Sequence, residues 1–176
     1  MSFEYADFNS DFTRYLDFVS PKGGDPTYSV LKAHLAIEQV FRDYLERRVP
    51  HPAALKEARL GFMQRMHLVR AISDADPKHW SWTAIAKLNS IRNQLAHHLA
   101  PKELNRLTDE YIAFCVTSSN NPLPPKAGVT SSLDAPRSGR VYTGLDMVTG
   151  AIFAGLCSML GMLPSEGDYP APGGNP

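Results

Sequence analysis

The sequence predicts an all-α protein: one domain, built as an antiparallel bundle of about five to six helices. Three observations lead there. Apolar residues recur at three- and four-residue steps through most of the chain, as in Leu88, Ile91, Leu95 and Leu99. Proline- and glycine-rich breaks separate these runs, notably Pro21-Lys22-Gly23-Gly24-Asp25-Pro26 and Val49-Pro50-His51-Pro52. No alternating run of β-branched and aromatic residues marks a strand. A chain of 176 residues suits one domain with a sizeable core.

The elements follow in order. Phe8, Phe12, Tyr15, Leu16 and Val19 fall at helical spacing and predict a first helix over 3–19, although Asn9-Ser10-Asp11 can instead cap a shorter one. Residues 1–26 are thus read as an N-terminal helix and linker, and 27–163 as the helical domain. A long helix runs from Thr27 or Ser29 to Arg48, with Leu31, Leu35, Ile37, Phe41, Tyr44 and Leu45 on a broad apolar face. Glu38 sits on or beside that face. It is either a solvent-edge acid or a partly buried carboxylate with a cationic partner, since burial without one is costly.

A third helix is expected over 52–72, with Leu55, Phe62, Met66 and Val69 on its buried side. Ser73 to Pro77 ends it, and Trp80 and Trp82 are read as packing residues leading into a central helix over 83–99. Pro101 favours a new helix through Phe114 or Val116. Residues 117–143, rich in Pro and Ser, read as a long loop, unusual inside a compact domain. The least polar helix is expected over 145–163, with Gly144, Gly150, Gly155 and Gly161 as packing glycines. Residues 164–176 read as a disordered tail.

Composition narrows the function. The formal net charge is zero, which argues against a wholly basic nucleic-acid coat. The distribution is uneven: residues 51–106 hold nine Lys or Arg against four Asp or Glu. Such a basic middle permits an anionic partner. Two cysteines, Cys115 and Cys157, imply no disulfide framework and point to a reducing, cytoplasmic setting. The acidic, aromatic start is unlike a signal peptide. The uncharged stretch near the end is short and diluted by Gly, Ser and Thr, so a buried helix is expected there and no membrane span. No phosphate-binding glycine loop, nucleophile elbow or Cys-x-x-Cys pair is present, and no cofactor is expected.

One stretch carries candidate chemistry. Ile91-Arg92-Asn93-Gln94-Leu95-Ala96-His97-His98 places a cation, an amide and an imidazole on one helix. Asn93 and His97 are four residues apart and stack along one face, whereas Arg92 and His97 lie about 140° apart. Cleavage of RNA by its own 2′-hydroxyl needs a proton-transfer group that titrates near neutrality and donors over the phosphate oxygens. Histidine and arginine meet those needs. Plainer readings stand beside this one. Histidines at a helix end can answer its dipole, and Arg92 can bridge internally to Glu38. His34, near Glu38, can reach the same site. A metal set of His34, His97 and a carboxylate lacks supporting spacing, so no metal is expected.

Those residues resemble the Arg-spacer-His signature of the HEPN superfamily, and within it the mannitol operon repressor branch. Leu35-Ala36-Ile37-Glu38-Gln39-Val40-Phe41 looks like that branch's early helix, and Arg59-Leu60-Gly61-Phe62-Met63-Gln64-Arg65-Met66 like its middle helix. Residues 145–163 look like its apolar closing helix, so the likeness spans about 28–163. The resemblance implies a HEPN-like helical bundle that forms a homodimer, with Arg and His of both subunits facing one cleft. Active members are metal-independent endoribonucleases, many of them toxins paired with an antitoxin or parts of phage defence. Arg92 would then hold the phosphate, His97 would be the acid or base, and Asn93 the supporting polar residue. Glu38 would hold the Arg or His, and His98 is the alternative to His97. The Pro-rich 117–143 and the extra N-terminal helix depart from the pattern. The mannitol-repressor branch also admits a catalytically silent regulator or protein-binding module.

Overall fold

The computed structural model describes residues 26–97, 103–119 and 144–162. Among them are six helices and no strand: α1 (Pro26–Arg48), α2 (Pro52–Glu57), α3 (Phe62–Ile72), α4 (Trp80–His97), α5 (Leu104–Ser119) and α6 (Gly144–Met159). The expected helix over 3–19, the tail 164–176, and Leu99, Pro101 and 120–143 lie outside the described residues.

The bundle is assembled around α1, which touches all five other helices. Its sequence explains this. Val30, Ala33, Ile37, Val40, Phe41, Tyr44 and Leu45 are all buried, and they spread over more than one face of the helix. Ile85, Leu88 and Ile91 of α4, Tyr111 and Ile112 of α5, and Leu145, Val148, Ile152 and Leu156 of α6 complete the core. Each large side chain buried this way contributes about 1.5–3 kcal/mol of transfer free energy.

Several boundaries differ from the sequence-based expectation, among them the closing helix, which ends at Met159 and not at 163. The helix expected over 52–72 is two helices. Arg59 adopts φ 47°, the left-handed region, just past the end of α2, and Gly61 opens α3 with its N–H donating to Gln64 Oε1 at 2.8 Å. The apolar spacing of Leu55, Phe62, Met66 and Val69 runs through this break unchanged, which is why periodicity alone missed it. The central helix starts three residues early, at Trp80. Buried Trp82 donates its indole N–H to the Asp76 carbonyl at 3.0 Å and locks the incoming turn. In the other direction, α5 continues to Ser119.

The glycines of α6 also differ in role. A Cβ at Gly150 or Gly155 would meet nothing within 4 Å, so neither marks a close approach to another helix among the described residues. Gly161 instead ends the helix. Its φ of 63° lets its N–H reach the Ser158 carbonyl and the Met162 N–H reach the Cys157 carbonyl, at 3.0 and 2.8 Å. This is the Schellman arrangement, and it turns Met162 back into the core.

Candidate functional site

A polar stripe of α4 is formed by Asn89, Arg92 and Asn93, at steps of three and one, flanking buried Leu88 and Ile91. It faces α1 and the start of α3 across an open hollow of about 430 Å3. His34 and Glu38 of α1, Phe62 and Gln64 of α3, and the three α4 residues share its wall. Four of the six candidate residues therefore meet here: Arg92, Asn93, Glu38 and His34.

Each is held differently. Arg92 is half-buried, and its Nη1 donates to Asn93 Oδ1 at 3.3 Å. No carboxylate among the described residues pairs with it. Glu38 is spoken for. Its Oε1 accepts from Arg65 Nη1 at 2.6 Å and from Arg42 Nη2 at 2.9 Å, with the side chain only 16% exposed. It is thus the partly buried acid with cationic partners, and those partners are Arg65 and Arg42, neither Arg92 nor a histidine. Arg92 is left facing the hollow with its charge available.

His34 is buried. Its Nε2 lies 3.0 Å from Asn89 Oδ1, and its ring stacks on Phe62 with centroids 4.1 Å apart. A carbonyl oxygen can only accept, so Nε2 carries the proton and Nδ1 is the ring's acceptor. Burial pushes the His34 pKa below its ordinary 6.5, and the Arg92 charge adds to that. The Asn89 hydrogen bond and Glu38 act the other way without overcoming it. His34 is therefore a neutral imidazole at pH 7. His34 lines the hollow and His97 does not, so the conceived set of His34, His97 and a carboxylate is not brought together around it. Among the described residues, no group of three or more His, Cys, Asp or Glu is placed to hold a metal ion.

His97 is exposed at the C-terminal end of α4, one turn beyond Asn93, and lies outside the wall of the hollow. His98 lies outside the described residues. The two cysteine thiols are buried in the core and pushed up to about 12 by desolvation, so neither serves as a thiolate nucleophile at neutral pH. Sequence reasoning gave Asn89, Phe62 and Arg65 no part in this site. Asn89 had a signal: it precedes Arg92 and Asn93 by three and four positions, on the same helical face. Phe62 and Arg65 had none, because their roles are set by contacts 21 to 28 residues away in sequence.

The arrangement can bind an anion. It offers one unpaired guanidinium and several amides, beside a neutral stacked imidazole in a hollow of ligand size. No helix among the described residues is long and apolar enough to cross a membrane. The chain matches no family model, no curated protein and no solved structure.

Two outcomes are expected from chemical denaturation. Arg65→Ala should cost about 1–3 kcal/mol by removing the tie from α3 and leaving partly buried Glu38 to Arg42 alone, whereas Arg92→Ala should stay within about 0.5 kcal/mol of wild type. An equal loss in both would show that Arg92 is an internal tie after all. The second outcome concerns pH. Unfolded His34 takes up a proton at higher pH than folded His34, so its contribution is complete above about 6.5 and is lost as pH falls below that value. Between pH 7.5 and 5, wild type should lose more stability than His34→Gln; parallel curves would contradict this.

Proposed function

We propose that the protein is a metal-independent endoribonuclease of HEPN type, acting on single-stranded RNA as a homodimer. The observation that carries this is Arg92: a guanidinium with no carboxylate partner among the described residues, on the wall of an open hollow, on the same helix as exposed His97. The sequence resemblance to the HEPN signature supports the same reading. In the proposed reaction Arg92 binds the non-bridging phosphate oxygens, and Asn93 holds the guanidinium in place. A histidine removes the 2′-hydroxyl proton as the O2′–P bond forms. The general acid, His97 of the other subunit, protonates the 5′-oxygen as the P–O5′ bond breaks. The products are a 2′,3′-cyclic phosphate and a 5′-hydroxyl. A role as toxin or phage-defence component, with an antitoxin or regulatory protein as partner, is the biological setting the resemblance implies.

A second reading rests on Tyr28, Leu31 and Leu35. They form an exposed apolar stripe on α1, with Leu35 55% exposed. A catalytically silent regulator could use that stripe to bind a protein partner.

Purified protein incubated with single-stranded RNA in EDTA distinguishes the two. Cleavage should persist in chelator and fall by about 100-fold or more in both Arg92→Ala and His97→Ala. Wild-type protein that leaves RNA intact, or equal cleavage by all three proteins, would favour the silent module.

A further inference from the structure

A second hollow of about 630 Å3 adjoins the Arg92 hollow, and Glu38 and Gly61 line both. Its charges are Arg42, Lys56, Arg59 and Arg65 against Glu38 and Glu46. The acids are already used: Glu38 takes Arg65 and Arg42, and Glu46 lies 3.4 Å from Lys56. Arg59 has no ion-pair partner among the described residues. It is also the one non-glycine described residue with positive φ, 47°. Its position, just past Ala58 at the end of α2, is where helices most often use glycine. The backbone therefore holds an arginine in a conformation that disfavours every side chain, and it does so at the cation left uncompensated in this hollow.

We infer that this second hollow is a subsite for the sugar-phosphate backbone of single-stranded RNA, holding a phosphate that flanks the one at Arg92, with Arg59 and Lys56 as its contacts. The assignment rests on reading the Arg92 hollow as an RNA site. The chemistry of the walls separates the two. The Arg92 hollow has the side-chain amides of Gln64, Asn89 and Asn93, able to meet the edge of a base, whereas the carbon-rich wall residues of the second hollow are Leu45, Leu55 and Leu60, with neither an amide nor an aromatic for a base. Its contacts are electrostatic and independent of sequence. Glu38, which lines both hollows, holds Arg42 and Arg65 in the wall of the second one, beside Arg59 and Lys56.

The test is binding of a fluorescein-labelled, uncleavable 2′-O-methyl oligouridine twelve nucleotides long, followed by anisotropy across a sodium chloride series, with thermal melts of the same full-length proteins. Arg59→Gly should melt at or above the wild-type temperature, because glycine relaxes the left-handed position, yet bind about three- to tenfold more weakly. The slope of log Kd against log salt should become shallower by about one. Arg59→Gln keeps the strain and removes the charge. It should lose the same affinity without gaining stability, while Arg59→Lys should keep most of both. Lys56→Ala should behave like Arg59→Gln. Wild-type affinity and slope in Arg59→Gly and Arg59→Gln would overturn the assignment, as would equal competition from a poly-glutamate peptide of matched charge. Arg59-dependent binding by a protein that cleaves no unmodified RNA would sink the nuclease reading and leave the subsite standing.

Discussion

Glu38 is a partly buried acid of α1 that accepts from two guanidinium groups, one four residues along its own helix and one on α3. A carboxylate this shielded needs cationic partners, and the partners it has leave Arg92 out. That allocation governs the cleft. Had Glu38 paired with Arg92, the hollow would hold a neutral pair and little to attract an anion. Paired with Arg65 and Arg42, it fastens α3 to α1 and holds two cations along the groove. Arg92 then keeps its charge for something that enters from outside.

The other wall is fixed by a second polar tie. His34 reaches from α1 to Asn89 on α4 while its ring lies flat on Phe62. Burial keeps the imidazole neutral, so this tie brings no charge into competition with Arg92. The α4 residues that make the tie and those that face the hollow belong to one helical stripe. Packing of Leu88 and Ile91 into the core therefore orients both at once. The cleft is built on helices, with its polar groups set by packing and hydrogen bonds.

Much of the fold was legible because it rests on repetition. The long helix ending at Arg48, the central helix and the apolar closing helix all follow from three- and four-residue spacing of large apolar side chains. The breaks were harder. A single residue in the left-handed region at Arg59 divides two helices whose apolar phase is continuous, and no residue type there announces it. The glycines of α6 misled for the opposite reason: a glycine can mean close packing, a turn or neither, and only Gly161 has a backbone demanding it. In the site, Arg92 and Asn93 were legible from order along one helix. The partners of Glu38 were not, because the choice among Arg42, Arg65 and Arg92 depends on how helices dock. His97 sits at a helix end, where spacing gives a direction but no neighbour.

The most direct measurement is an NMR titration of arginine side-chain N–H signals in 15N-labelled protein with an uncleavable single-stranded oligonucleotide. Saturable shifts at Arg92, shared with Arg59 and absent from Arg106, which is held by Glu103 and Glu110, are what the account predicts. Shifts that spare Arg92 while moving arginines elsewhere would contradict it, because the cleft between α1, α3 and α4 would then not be where the nucleic acid binds.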